Sequence, residues 1–365
     1  MKKPRIGLIS SCGISPNENA ELYNLGGMIG EVFDLHLLCG ENADCNGLEK
    51  YYAIHYETPY KKDVANFRYA FNICSKYVKK LNLDLLMNVC SPATIGFAAT
   101  FFSKKYGIPG LIRMTGDSFA EARIHQQPWK KIKSWMLHGQ MAALAYKRAD
   151  HILAIGENLK AELVRRHFNP NKISVLPQPF DQGLFTPVNA AEKIQRKTEI
   201  GLNPDRKTIL FAGRLSWLKG ADRILKIVEE VARKSSAFQF CLVGKGEYEN
   251  AFSRFSSALI HMPGLIVHSQ VSKFFQAADL LIFPSRTEGL PNTILEALSC
   301  KVPVIAAPVG DISNWVSNLA TEPEDYVEYI LKGNYVLDEL PDILDYDRLK
   351  EAYIDLFHRV IKDKQ

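Results

Sequence analysis

Phe283-Pro284-Ser285-Arg286-Thr287-Glu288-Gly289-Leu290-Pro291-Asn292-Thr293-Ile294-Leu295-Glu296-Ala297-Leu298-Ser299-Cys300 is the segment around which the chain is organised. Ahead of it, Ala278-Asp279-Leu280-Leu281-Ile282-Phe283 has the length and apolar content of a buried strand; behind it, the leucine spacing and Ala297 predict a helix. The order is strand, loop, helix. Pro291 suits the first helical turn, where a missing N–H is no loss, and Gly289 lets the backbone come close to a ligand. The loop thus offers free amides and the positive end of a helix, a natural seat for a phosphate. Glu288 lies in the loop and Glu296 inside the helix. At about 1.5 Å per residue, Glu296 stands roughly 6–8 Å beyond the helix start, about the step from a diphosphate to its ribose. One carboxylate is then placed for a reacting group and the other for a ribose diol. Taken alone, such a pair reads as a loop residue and a solvated helix residue, since carboxylates at this spacing are common on surface helices.

Outward from this stretch, the second half of the chain alternates strands and helices. It begins with the strand Thr208-Ile209-Leu210-Phe211-Ala212, followed by Gly213-Arg214-Leu215-Ser216-Trp217-Leu218-Lys219-Gly220 and a helix over 221–232. Two cations in a strand-to-helix loop can converge on a diphosphate, arginine through its planar fork and lysine as a point charge. Cys241-Leu242-Val243-Gly244-Lys245-Gly246 is a strand with a glycine turn, but it lacks a dinucleotide fingerprint, so nicotinamide cofactors are unsupported. Behind the central stretch comes the strand Val302-Pro303-Val304-Ile305-Ala306.

The first half repeats the alternation. Strands are expected over 5–10, 33–39, from Asp84, over 108–114, 148–155 and 172–176, with helices from Leu22 and over 64–81, 93–106 and 157–167. A long helical stretch precedes Arg148. Short loops between such elements imply a parallel, doubly wound sheet. Pro177-Gln178-Pro179, Pro187 and the polar stretch to about Asn203 are the best linker candidate. The reading is α/β, with two Rossmann-like doubly wound domains facing a cleft: 1–185, 186–345, and a C-terminal helix over 346–365.

With 365 residues, 47% hydrophobic and 23% charged, the chain has room for two sizeable cores. No run approaches the roughly 18 apolar residues of a membrane span, and the start is too short and polar for a secretory signal, which predicts a cytoplasmic protein. Seven cysteines without a C-x-x-C pair predict reduced, mostly buried thiols rather than a disulfide framework or zinc site. The net charge of +5 is uneven: residues 1–180 hold 23 basic against 15 acidic side chains, the remainder 22 against 25. A basic first half fits an acidic acceptor, a phospholipid surface or a solvated face.

The central stretch, with its Pro-Ser, Glu-Gly-Leu-Pro-Asn, Leu-Glu-Ala and following strand, resembles the E-x7-E segment of retaining glycosyltransferases of family 4. The run Gly213-Arg214-Leu215 with Lys219-Gly220 is similar to the diphosphate loop of the same family. The resemblance is firm from Thr208 to Ile305 and looser before it. It implies the GT-B arrangement, a nucleoside diphosphate sugar as donor, no required cofactor or metal, and a C-terminal helix that crosses back to the first domain. It further implies that Gly213, Arg214, Lys219, Gly244, Val267, His268, Glu288, Gly289, Leu290, Pro291, Asn292 and Glu296 line the donor site, with Arg214, Lys219 and Glu288 catalytic. Gly310 and Asp311 are further candidates near the donor.

On the acceptor side, family members often carry a histidine after the strand equivalent to Leu111–Met114. This chain has Thr115-Gly116-Asp117 there, so Asp117 takes the polar role or caps a turn, and His125 is a lesser candidate. Trp129-Lys130-Lys131-Ile132-Lys133-Ser134-Trp135 is either a segment for an anionic membrane interface or a helix packing its aromatic side on the domain. No nucleic-acid module is present. Asp345-Tyr346-Asp347 has D-x-D spacing but stands where a helix cap is needed. The expected function is transfer of a sugar to a glycan or lipid-linked glycan, in the cytoplasm or at the inner membrane face. The alternatives are a non-catalytic nucleotide-sugar or glycan binder and, as another enzyme class, a nucleotide-sugar epimerase or a phosphorylase.

Overall fold

The computed structural model describes residues 2–58, 66–117, 119, 132 and 135–364. The chain divides into two compact units, Met1–Pro179 with Ile343–Gln365, and Phe180–Asp342.

The first unit is built on seven parallel strands: β1 (Arg5–Ile9), β2 (Asp34–Gly40), β3 (Tyr52–Glu57), β4 (Leu85–Asn88), β5 (Gly110–Met114), β6 (His151–Ala154) and β7 (Ile173–Val175). Their order is β3-β2-β1-β4-β5-β6-β7, with Ile6 opposite both Leu35 and Leu85. The inner strands are apolar on both faces because helices cover both. On one face α1 (Pro16–Ile29) and the C-terminal helix, Tyr346–Lys362, pack over Ile6, Leu8 and Leu37; on the other, α2 (Phe67–Tyr77) and α3 (Phe97–Tyr106) pack over Ile9, Leu38 and Leu86. α4 (Ala142–Arg148) and α5 (Glu157–Arg165) complete the unit. β3 escaped the sequence reading; it is an edge strand paired to β2 alone, with Ala53 and Tyr56 exposed.

Three expectations need correction here. α1 starts at Pro16, six residues before Leu22, because Ser15 and Glu18 form a capping box. The helix expected over 93–106 opens with a wide π turn over Pro92–Gly96, where Ser91 has φ +46° and its carbonyl accepts from the amides of Thr94, Ile95 and Gly96. The helix expected over 64–81 spans Phe67–Tyr77; Val64 and Ala65 lie outside the described residues, as do His125, Trp129, Lys130, Lys131, Lys133 and Ser134.

The C-terminal helix buries Leu349, Tyr353, Leu356, Phe357 and Val360, an i, i+4, i+7 stripe, in the first unit's core. Phe357 meets Phe33 edge-on at 5.8 Å, and the Tyr353 hydroxyl donates to the Pro177 carbonyl at 2.9 Å. Asp345 caps this helix, its Oδ1 accepting from the Arg348 amide at 3.1 Å, which accounts for the D-x-D spacing.

The second unit has five parallel strands, β8 (Lys207–Ala212), β9 (Phe238–Val243), β10 (Ile260–Gly264), β11 (Leu280–Phe283) and β12 (Val304–Ala306), in the order β10-β9-β8-β11-β12. Helices α6 (Ala190–Glu199), α7 (Ala221–Lys234), α8 (Glu249–Phe252), α9 (His268–Ala277), α10 (Asn292–Ser299) and α11 (Pro323–Lys332) accompany them. α7 buries Ala221, Ile224, Ile227, Val228 and Val231; each larger side chain contributes about 1.5–3 kcal/mol by leaving water.

The polar stretch expected as linker contains α6. Asn189 and Glu192 form its capping box. Lys197 is buried and donates to Asp279 at 2.7 Å and to the Arg206 carbonyl at 2.8 Å. Burial alone would raise the Asp279 carboxyl, but Lys197, the Thr208 amide and Lys193 outweigh it and hold it below the ordinary value. The charges that made the segment look solvated are its attachment to the unit. Phe185 is likewise buried here, edge-on to Phe275 at 5.4 Å.

Candidate donor-sugar site

In a doubly wound sheet, ligands gather outside the carboxyl ends of the strands where the strand order reverses. In the second unit that point lies between β8 and β11, and the loops leaving those strands are 213–220 and 284–291. Both charged motifs read from the sequence therefore stand side by side.

Their backbones are pressed together by glycines. Gly220 has φ +77°, and a Cβ there would stand 2.2 Å from the Pro284 carbonyl oxygen. Gly244, after β9, has φ +127°, and a Cβ would stand 2.0 Å from the Gly213 carbonyl oxygen. Only glycine fits either position. The Asp311 amide donates to the Gly289 carbonyl at 3.0 Å, which brings the loop after β12 against the same edge.

Across this seam, Lys219 Nζ donates to Glu288 Oε1 at 2.5 Å, with the glutamate side chain 10% exposed and the lysine 34%. Lys219 also lies 5.9 Å from the centre of the Phe283 ring. Arg214 is exposed, and its side chain pairs with none of the described residues. One cation is thus held at the seam and a second is available to an incoming anion.

α10 begins at Asn292, with Pro291 extended at its N-cap rather than in the first turn as expected; the ring's fixed φ of −77° suits both positions. Leu290 is buried, and Ile294, Leu295, Ala297 and Leu298 fix the helix on the core. Glu296, on the fifth position, is half-buried and receives no hydrogen bond from the described residues; burial pushes its carboxyl up to about 8. A carboxyl held without a partner has strong reason to accept a ligand hydroxyl. Gly289 and Asn292 flank Leu290 and Pro291 at the positive end of the helix.

Val267 is 62% exposed at the N-cap of α9, on the loop leaving β10. The His268 side chain lies outside the described residues. Asp117 belongs to the first unit, on the loop leaving β5, where its Oδ1 accepts from the Phe119 amide at 2.9 Å. That is the local geometry of a turn or capping residue. Sequence reading passed over Arg286, Asp222 and Trp217, which form one cluster beside the seam, although Arg286 and Trp217 lie inside the two motifs. Among the described residues no group of His, Cys, Asp and Glu side chains is arranged to hold a metal ion, and no helix is long and apolar enough to cross a membrane.

Residues 206–333 match the family model described as Glycosyl transferases group 1. The chain is similar to D-inositol 3-phosphate glycosyltransferase of Segniliparus rotundus, 31% identical over 153 residues, which are 40% of this chain and 33% of that protein. It is also similar to N,N'-diacetylbacillosaminyl-diphospho-undecaprenol alpha-1,3-N-acetylgalactosaminyltransferase of Campylobacter jejuni, 26% identical over 80% of this chain and 81% of that one. Among solved structures, Anabaena HepE in complex with UDP and glucose superposes with a TM-score of 0.74 at 13% identity, covering 96% of this chain and 99% of that one. The chain spans about a third to about half of the length of several curated relatives it matches, 33%, 48% and 52%. The fold is that of the GT-B glycosyltransferases. The matched residues 206–333 lie within its second unit, Phe180–Asp342.

Proposed function

We propose that this protein is a retaining glycosyltransferase that moves a sugar from a nucleoside diphosphate sugar to a glycan or lipid-linked glycan acceptor. The observation that carries the reading is the seam between the loops after β8 and β11, where Lys219 meets Glu288 beside the available Arg214 and the unpartnered Glu296. The largest charge that develops in such a transfer is on the departing diphosphate. Arg214, Lys219 and the positive end of α10 stabilise it, supplying the charge that a divalent metal supplies in other transferases. Glu296 accepts from the ribose hydroxyls. Glu288, held by Lys219, orients the sugar hydroxyls and faces the oxocarbenium-like centre, while the acceptor enters on the face the diphosphate leaves. Gly213, Gly244, Gly289, Leu290, Pro291 and Asn292 shape the backbone around the donor, Val267 and His268 approach the base, and Asp117 contributes the polar group of the acceptor side.

The lipid-linked acceptor named for the Campylobacter relative supports the same acceptor class here. A peripheral contact with an anionic membrane is supported by the exposure of Ile132, Trp135, Met136 and Leu144, at 62%, 53%, 56% and 50%, next to a lysine-rich segment. On this reading the protein works at the cytoplasmic face of a membrane. Neutralising Lys130, Lys131 and Lys133 should then reduce binding to anionic vesicles, and unchanged binding would remove that contact.

The test of the donor site is a thermal-shift and titration panel of UDP, GDP, ADP and their sugars, with and without EDTA. A ligand at about 100 times its Kd raises stability by roughly 2.7 kcal/mol. One nucleoside diphosphate should stabilise the protein equally in both conditions, and its sugar should be transferred. Stabilisation without transfer to any acceptor would leave a non-catalytic nucleotide-sugar binder, the reading that the turn geometry of Asp117 favours; no stabilisation would remove the donor site.

A further inference from the structure

Arg286 lies two residues before Glu288, yet its side chain turns to the other loop. Its Nη1 and Nη2 donate to Asp222 Oδ1 and Oδ2, both at 2.7 Å, in a parallel fork. Nη1 donates also to the Trp217 carbonyl, and the guanidinium carbon stands 4.2 Å from the centre of the Trp217 ring. The Arg286 amide donates to the Leu218 carbonyl at 2.8 Å. Side chain and backbone of one residue thus hold Trp217, Leu218 and the first turn of α7.

The consequence falls on Lys219. Its preceding residue is fixed by the Arg286 amide, and its following residue, Gly220, is pressed on the Pro284 carbonyl, to which Arg223 also donates at 3.3 Å. The Trp217 amide donates to Glu247 Oε1 at 3.0 Å, which ties the far side of the loop to the turn after β9. The pair is largely screened from solvent, Arg286 at 17% and Asp222 at 31% exposure. Burial alone would raise the Asp222 carboxyl, but the fork from Arg286 outweighs it and holds the group below its ordinary value, so the pair is charged at neutral pH. Lysine provides neither a planar fork nor a stacking face, so it cannot make these contacts together.

We propose that Arg286 is a positioning residue for the donor diphosphate. It does not touch the donor; it sets the loop 213–220 against the loop 284–291, so that Lys219 stands at Glu288 and Arg214 is left to the phosphates. The inference rests on the donor-site reading above. It goes beyond that reading because it makes phosphate recognition depend on a residue whose own charge is already taken up by Asp222.

The experiment compares the full-length protein with Arg286→Lys, and with Arg254→Ala as a control for loss of a surface ion pair in the same unit. Each is titrated, well below its Tm, with UDP, GDP and ADP by calorimetry and with uridine, guanosine and adenosine by NMR. The nucleoside reads the base and ribose contacts; the diphosphate adds the contacts made by the positioned loop. Arg286→Lys should weaken the preferred diphosphate about tenfold, the scale of one lost charge-assisted contact, and leave its nucleoside unchanged. The control should change neither. A lower Tm with an unchanged ratio of diphosphate to nucleoside affinity would make Arg286 a merely structural residue and overturn the inference. If Arg286→Lys does not fold, Asp222→Asn keeps the shape of the partner, removes its charge and should lower the same ratio. Failure of the wild type to bind any of the three diphosphates removes the donor site, and with it this inference; binding by the wild type with an unmoved ratio in the variants removes the inference alone.

Discussion

The carboxyl-terminal edges of the two sheets are built in opposite ways. In the second unit the edge is ionic and tightly held: Lys219–Glu288, the Arg286–Asp222 fork, and glycines whose Cβ positions are occupied by neighbouring carbonyls. In the first unit it is lined by Ser10, Ser11, Cys12, Asn88, Cys90 and Asp117, small polar groups and thiols, over the buried ion pair of Arg113 with Glu21. A diphosphate presents the same charge in every donor, so the loops proposed to receive it are built of cations, a helix end and close backbone contacts. An acceptor imposes no such common demand, and the edge that would receive it carries no motif.

The strongest way to break this contrast is Lys219→Ala. Sugar transfer should fall by about two to three orders of magnitude, as when one preorganised charge donor is removed from a transition state, while the protein remains folded. Near-normal turnover measured with the preferred donor sugar would show that the ionic edge is not the donor site.

Two glycines with similar backbone angles separate local strain from close approach. Gly107, at the end of α3, has φ +71° and open space around it, whereas Gly220 has φ +77° and the Pro284 carbonyl against it. Gly107→Ala should cost about 1 kcal/mol in denaturant unfolding. Gly220→Ala should cost more and also lower diphosphate affinity, because the alanine pushes the two loops apart. Equal costs with intact binding would mean that the seam tolerates displacement.

Asp117→Ala sharpens the comparison from the first unit. It should lower transfer more than tenfold while donor affinity stays unchanged, since general polar catalysis by one side chain is worth at least that much. Unchanged transfer, with about 1 kcal/mol lost in stability, would leave Asp117 as a turn residue.

A pH dependence separates Glu296 from the paired charges beside it. Burial lifts its carboxyl to about 8, so the folded protein keeps a proton that the unfolded chain releases near pH 4. Its contribution is therefore complete at low pH and is lost as pH rises toward 8, with a slope of at most about 1.4 kcal/mol per pH unit. Glu296→Gln should flatten that decline in a Tm series from pH 5 to 8. A bound nucleoside diphosphate should flatten it too, since a ribose diol donates to the carboxylate and favours the charged form. An unchanged slope in the variant would show that the carboxyl is solvated.

The class of fold, and the charged residues of the two loops proposed to hold the donor, were legible in the sequence. Apolar runs such as Leu280–Phe283 and Leu210–Ala212 are buried on both faces, as strands of a covered parallel sheet are, and Glu288, Glu296, Arg214 and Lys219 stand at fixed offsets from them. Local pattern was enough because the motif residues are placed by the ends of elements that the pattern specifies. It was not enough where a residue's environment comes from distant chain. Lys193 and Lys197 looked like linker charges until Asp279 stood beside them, the edge strand β3 was passed over, and Arg286 was one more polar residue until the fold laid it on Trp217 and Asp222. Only the tertiary structure shows which charges are paired and which remain available, because pairing depends on separation in space, and the two partners of the Arg286–Asp222 fork stand 64 positions apart in the chain.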